Sequence, residues 1–232
     1  MLLSALFDTC ARNVHAWAGE DCLLCGAEGG PELLCPACIA ELPALAESCP
    51  RCALPSPAGA VCGSCLNHPP HFDATLALWR YEFPCDRLVQ ALKYRARLAL
   101  AGFFARNLAS RPIPEVDLIV PMPLHAKRLA ERGFNQALEI ARGLARHLRR
   151  PIEPRGVLRV KDTPPQTELP YEERARNVRG AFLCRLDLSG ASVAVLDDVM
   201  TTGATLNELA RALKRAGAAR VENLVIARTV LR

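Results

Sequence analysis

Aromatic side chains make up only 5% of this 232-residue sequence, too little π surface to hold single-stranded nucleic acid mainly by base stacking. No apolar run approaches the ~18 residues that a membrane-spanning helix needs. No Gly-Lys-Ser/Thr closes a glycine-rich turn and no GxGxxG occurs, which excludes a P-loop and a dinucleotide fingerprint. The five histidines (His15, His68, His71, His125, His147) show no metal-ligand spacing, and only His125 lies beside a basic segment. Positive charge is scarce at the start: residues 1–70 contain two basic and seven acidic side chains, whereas the remainder contains 27 basic and 17 acidic. The opening MLLSALFDTCARNVHAW lacks a basic n-region, and Asp8 interrupts its apolar stretch. Residues 1–21 are therefore expected to form a short amphipathic helix on the body of a cytoplasmic protein, not a secretory signal.

Cysteine is abundant instead. Eight of the eleven cysteines form four CxxC pairs: Cys22/Cys25, Cys35/Cys38, Cys49/Cys52 and Cys62/Cys65. They build the repeat C-x2-C-x9-C-x2-C twice, offset by 27 residues. Thiols stay reduced in the cytosol, and one CxxC turn presents two thiolates on one side, so two turns complete a tetrahedral four-sulfur site. That donor set suits zinc, in two structural sites. Pairing within each repeat is preferred; a cross-braced arrangement, with the first and third pairs sharing one ion, is the alternative. Two zinc–thiolate centres would bring the formal charge from +5 to about +1, so overall pI says little about nucleic acid. The basic second part says more. Cys10, Cys85 and Cys184 fall outside the repeat and read as small buried hydrophobes.

Pro69-Pro70 marks a boundary, giving a ribbon over residues 22–70 and a second domain over 71–232. The ribbon is too short and turn-rich to build a core without its metals; Ile39, Leu42 and Leu45 predict one short helix within it. Beyond residue 72 strands and helices alternate. Strands are expected at 74–81, 117–121, 157–160 and 221–230, and helices at about 85–109 and 135–149. A loop fills the gap after residue 121, and 162–183 is irregular. Trp79, Tyr81 and Phe83 fall on one face of the first strand, where core packing is expected. Alternation of this kind implies an α/β fold with a parallel sheet and right-handed crossovers.

The segment VAVLDDVMTTGAT, Val193 to Thr205, carries the most specific signal. Four apolar residues predict a buried strand, Asp197 and Asp198 follow at its expected end, and a small hydroxylated loop then leads into a helix marked by Leu206, Leu209, Ala210 and Leu213. Ligands of open α/β sheets bind beyond the carboxyl ends of strands. Unpaired amides at a helix start favour phosphate; Thr201, Thr202 and Thr205 add hydroxyls, and Gly203 with Ala204 keeps the backbone accessible. Ionised carboxylates accept hydrogen bonds only, which suits the two hydroxyl donors of a ribose. The stretch resembles the phosphoribosyl diphosphate (PRPP) motif of type I phosphoribosyltransferases.

Cleaving ribose from pyrophosphate places negative charge on the leaving group, so cations must gather there. Lys93 and Arg95 in ALKYRA, then Lys127, Arg128 and Arg132 in PMPLHAKRLAERGFNQ, are the candidates; Lys93, Arg128 and Arg132 are assigned the catalytic role. The helix after RGFNQ carries Arg142, Arg146, Arg149 and Arg150 opposite an apolar face, which reads as a solvated face or a phosphate-tracking surface.

RGFNQ (Arg132 to Gln136), LKYR (Leu92 to Arg95), ERARNVRGAF (Glu173 to Phe182), the Asp-Asp loop and the leading double ribbon occur together. This combination resembles the ComF family over nearly the whole chain. The resemblance implies a parallel-sheet type I phosphoribosyltransferase fold preceded by a small double zinc ribbon, with residues 162–183 as a hood over the site. It also implies PRPP and magnesium as ligands, single-stranded DNA and competence-machinery proteins as partners, and a role in DNA uptake or utilisation. The alternative is an active phosphoribosyltransferase with an unidentified acceptor.

Overall fold

The computed structural model describes residues 21–28, 33–162 and 177–230. The expected N-terminal helix, Cys10 and the Glu173–Arg176 part of ERARNVRGAF lie outside them. The chain divides into two compact units, Met1–Leu42 and Pro43–Arg232. The division falls inside the double ribbon, so the second cysteine repeat shares a unit with the sheet.

Both repeats fold alike. In the first, the Gly26 N–H closes a turn on the Cys22 carbonyl at 2.9 Å, and helix α1 (Pro36–Ala40) starts directly after Cys35. Ile39 lies in that helix, but Leu42 and Leu45 lie beyond it. In the second, Ala53 N–H bonds the Cys49 carbonyl at 2.9 Å, and α2 (Gly63–Asn67) starts after Cys62.

The larger unit is built on a four-stranded parallel sheet: β1 (Ala74–Arg80), β2 (Leu118–Pro121), β5 (Ser192–Met200) and β6 (Arg220–Arg228), in the order β1-β6-β5-β2. Apolar runs such as Val193–Leu196 form its central strands because both faces are covered. Between β1 and β2 come α3 (Cys85–Arg95) and α4 (Ala99–Ala109); α5 (Ala126–Arg132) and α6 (Gln136–Leu148) follow β2. Helix α7 (Ala204–Arg215) joins β5 to β6. After α6 the chain continues beyond β2, where Ile152 bridges Ile119 in parallel, so right-handed crossovers put α4 and α6 together on one face and α7, which leads back from β5 to β6, on the other. α4 and α6 approach closely because Gly143 has no side chain: a Cβ there would lie 2.6 Å from Ala105 Cβ. Trp79 stacks on Phe103 with ring centroids 6.0 Å apart, joining β1 to α4.

Sheets expose open edges that invite mispairing. Here the β1 edge is covered by the second ribbon. Arg80 N–H bonds the Pro43 carbonyl at 2.8 Å, Thr75 N–H bonds the Pro50 carbonyl at 3.0 Å, and Ala44 bridges Trp79.

Four expectations need correction. The helix expected over 85–109 is two helices, because Ala96 turns left-handed (φ 48°) and caps the first. The expected loop after β2 contains α5, started by the His125 side chain and ended by Gly133 at φ 80°. Strand β5 does not stop before the acids: it pairs with β6 through Met200, so Asp197 and Asp198 are strand residues. Of the expected aromatic trio only Trp79 is core; β1 ends at Arg80, Tyr81 is half-buried and Phe83 is 74% exposed. Of the stretch expected to be irregular and to form the hood, residues 163–176 lie outside those described; at its far edge β4 (Phe182–Cys184) pairs antiparallel with β3 (Val157–Arg159).

Candidate functional site

The cysteines meet within repeats. Cys22, Cys25, Cys35 and Cys38 form one cluster and Cys49, Cys52, Cys62 and Cys65 the other, with sulfurs inside 4.8 Å of one another. Sequential pairing is thus the observed arrangement, and the cross-braced alternative is not. Four thiols this close cannot all ionise without a cation. In the first cluster burial pushes Cys22 up, but backbone N–H donors from Cys25, Cys35 and Leu24 outweigh it and bring it to about 6. Its neighbour Cys38 is pushed up to about 12, first by the Cys25 thiol. In the second cluster burial also opposes, yet the amides of Cys62, Cys52 and Arg51 draw Cys49 down to about 7; the Cys62 N–H reaches its sulfur at 3.3 Å. One thiolate among thiols is what protein alone supports. A divalent ion held by the four sulfurs would favour the remaining thiolates, their protons passing to solvent, and the all-sulfur donor set fits zinc.

The second centre of chemistry is a cleft of about 210 Å³ at the carboxyl ends of β2 and β5. Strand β5 drives two acids into it: Asp197 is 9% exposed and Asp198 3%. The Asp198 N–H donates to Asp197 Oδ1 at 2.9 Å. Burial raises Asp197, the Asp198 charge raises it further, and its carboxyl is pushed up to about 8 although Lys93 opposes. Lys93 arrives from the last turn of α3 and places Nζ 2.9 Å from Asp198 Oδ2 as an ion pair, not aligned as a hydrogen bond. Burial alone would lower the ammonium, but Asp198 and then Asp197 hold it above its ordinary value.

Beyond the acids the chain turns at Gly203, φ 82°, the N-cap of α7. That positive φ is strained for any side chain, so the turn favours glycine, and a Cβ there would also push on Met200 Cε, 2.6 Å away. No side chain caps α7 from that position, which leaves first-turn amides for a ligand. Thr201, Gly203 and Thr205 line the cleft. Thr202 and Ala204 belong to the loop without lining it; Thr202 Oγ1 instead accepts the Ala204 N–H at 3.2 Å.

Opposite the acids stand guanidiniums. Arg128 and Arg132 of α5 line the cleft. Arg132 donates to Gln136 and lies 5.7 Å from the Tyr94 ring centroid, a cation–π pair that fixes its direction. RGFNQ is also structural: Asn135 Oδ1 accepts the Ala137 N–H at 3.0 Å to start α6, while its Nδ2 reaches the Met122 carbonyl at 3.0 Å. Lys127, by contrast, is exposed and lies 3.7 Å from Asp162. Neither Lys127 nor Arg95 lines the cleft, and His125 Nδ1 accepts the Lys127 N–H at 3.4 Å.

Arg159 was missed from sequence. It projects from β3 into the cleft and packs over Phe182, and burial followed by the Arg128 charge lowers it from the ordinary guanidinium value. The signal was an arginine inside the short apolar strand VLRV. Tyr81 and Tyr94 also line the cleft; Tyr94 sat within the LKYR motif without an assigned task.

Residues 15–66 match the double zinc ribbon domain and residues 135–229 the phosphoribosyl transferase domain. Ribbon and parallel-sheet transferase fold together define the class of protein. The chain is 34% identical over 206 residues to the DNA utilization protein YhgH of Salmonella typhi, covering 85% of this chain and 91% of that one. Competence protein F of Haemophilus influenzae is 30% identical over 232 residues, with 94% and 95% covered. Competence protein ComFC of Bacillus subtilis is 26% identical over 215 residues, with 85% of each covered. The chain belongs to the ComF family. Among the described residues no helix is long and apolar enough to cross a membrane.

Proposed function

We propose that the chain binds PRPP in the β5–α7 cleft and serves in competence-type uptake or utilisation of DNA as a cytoplasmic protein. One observation carries the reading: a buried acid pair, a helix start whose N-cap is a glycine without a capping side chain, and a set of cations share one cavity. Asp197 and Asp198 accept the ribose hydroxyls, Thr201, Gly203 and Thr205 with the α7 amides hold the 5-phosphate, and Lys93, Arg128 and Arg132, joined by Arg159, face the pyrophosphate. Lys93 pairs with Asp198 in the free protein, so ligand entry exchanges that contact for hydroxyl donors and releases the ammonium toward pyrophosphate. Because the acids already hold Lys93, magnesium bound with PRPP would serve to offset the pyrophosphate charge beside these cations. The DNA role is supported by the names of the relatives and by the basic second domain. There, Arg142, Arg146, Arg149 and Arg150 line an open groove suited to a phosphate backbone.

Calorimetry with Mg·PRPP tests the site, and absence of binding by zinc-replete protein would remove it. A second reading, transfer of ribose 5-phosphate to an acceptor, is supported by four cations, Lys93, Arg128, Arg132 and Arg159, lining the cleft, because pyrophosphate departure needs positive charge. Pyrophosphate release from PRPP in the presence of single strands or candidate acceptors distinguishes a transferase from a binding protein.

A further inference from the structure

Arg228 ends β6 with 2% of its surface exposed. Main-chain carbonyls from three segments hold its guanidinium. Nε donates to the Cys52 carbonyl at 2.8 Å. Nη1 donates to the Met200 carbonyl at 3.0 Å, to Thr229 at 2.8 Å, and to Thr201. Cys52 supplies a thiol of the second four-cysteine centre, and Met200 and Thr201 open the loop that leads into α7.

Two further contacts run along the same line. The His71 N–H donates to Asn207 Oδ1, in the first turn of α7, at 2.7 Å. Phe72, buried at 4%, brings Cζ within 4.0 Å of where a Gly203 side chain would begin. His71 and Phe72 lie six and seven residues beyond Cys65, the last thiol of the second repeat. The loop is therefore gripped from the ribbon side at its start, its glycine and its helical turn. A guanidinium suits this junction because its planar fork donates in several fixed directions and stays charged when buried. Burying it without those acceptors would be strongly unfavourable, so moving the Cys52 carbonyl must disturb the carbonyls at 200 and 201 as well.

We infer that the second cysteine centre is the mount of the phosphate loop, with Arg228 as the positioning residue. Metal held by Cys49, Cys52, Cys62 and Cys65 thereby sets the affinity of the loop for a sugar 5-phosphate. The ligand side of this inference rests on the PRPP reading; the ordering of the loop does not.

The test uses full-length, zinc-loaded protein and three variants: Cys62→Ser/Cys65→Ser, Cys35→Ser/Cys38→Ser, and Arg228→Lys. The lysine keeps the charge but cannot span Cys52 and Thr201. Zinc content, amide hydrogen exchange over residues 201–205, and calorimetry with ribose 5-phosphate and with inorganic pyrophosphate are measured on each. The second-centre variant and Arg228→Lys are expected to speed exchange in the loop. Both should weaken ribose 5-phosphate at least about tenfold, the lower end for a lost hydrogen bond to a charged group. Pyrophosphate should change less than about twofold, and Arg228→Lys should retain its zinc. Unchanged loop exchange in the second-centre variant and in Arg228→Lys would overturn the inference. So would equal weakening of pyrophosphate, which signals general unfolding, or the same response to loss of the first centre. If native protein binds neither ribose 5-phosphate nor PRPP, the PRPP reading fails, while loop exchange still decides the mount.

Discussion

Asp197→Asn should make the protein more stable and less able to bind its ligand, and the pH dependence of the gain identifies the cause. The carboxyl of Asp197 lies buried beside a second acid and is pushed up to about 8. A carboxyl raised above its unfolded value, ~3.9, binds its proton more tightly in the folded state than in the unfolded one. Its contribution to stability is fully present below ~4 and is lost as pH rises toward ~8, with an upper-limit slope of about 1.4 kcal/mol per pH unit. Lys93 and local relaxation reduce that slope; half of it still amounts to ~2 kcal/mol between pH 5 and pH 8. Asparagine keeps the shape and does not titrate, so its advantage over the native acid should grow across that window and then level off. Paired urea melts of zinc-replete native and Asp197→Asn protein at pH 5, 6.5 and 8 provide the measurement, and the zinc–thiolate pH dependence common to both cancels. At pH 8 the variant should bind PRPP roughly 10–150-fold more weakly, the loss of a hydrogen bond to a charged group. A stability difference that stays flat from pH 5 to pH 8, or a less stable variant at pH 8, would refute the assignment of a strained acid held for its ligand.

Elemental analysis should find about two zinc ions per chain, and chelation should destabilise the sheet unit as well as the ribbon, because residues 43–52 bond β1 and Arg228. Less than about one zinc per chain would contradict the two-site arrangement. Alanine at Lys93, Arg128 or Arg132 should weaken PRPP far more than ribose 5-phosphate; equal weakening would mean that these cations only support the fold. Single-stranded DNA affinity should fall with log salt at about −3 to −4 for four to six phosphate contacts, and replacing Arg142, Arg146 and Arg149 together should flatten that slope without altering PRPP affinity. A native slope of about −1 or less would leave the basic groove merely solvated, which is a real contest because Arg142 pairs with Glu139 and Arg150 with Glu115. Gly203→Ala should cost ~1–3 kcal/mol and lower PRPP affinity together, since the positive φ of 82° opposes a side chain; unchanged thermal stability would count against the turn's role.

Legibility followed the range of the interaction. The two CxxC clusters could be read because a four-sulfur site is specified by spacing within seventeen residues, and a CxxC turn closes on its own carbonyl in both repeats. The acid pair, loop and helix start of the cleft form one contiguous segment and were equally readable. Local cues failed where neighbours overrode them. Nothing apolar or polar in KYRARLALAG announces the left-handed turn at Ala96 that ends α3 beyond Lys93. Strand β5 runs past its acids because β6 and its partner carbonyls continue the ladder to Met200, a pairing 28 residues away in sequence.

By itself, then, the amino-acid order determined the class of the fold, the two thiol sets and the Asp-Asp, loop and helix-start segment, all of which depend on periodicity or on spacing over one or two turns. The tertiary structure alone decided which ribbon joins the sheet, that Lys93 meets Asp198, that Arg159 enters the cleft from β3, and that Arg228 ties Cys52 to the loop before α7. These are meetings of residues up to 176 positions apart. They arise because strand order and crossover direction deliver strand ends to one edge, and that delivery is set by packing of the whole sheet, which no local pattern encodes.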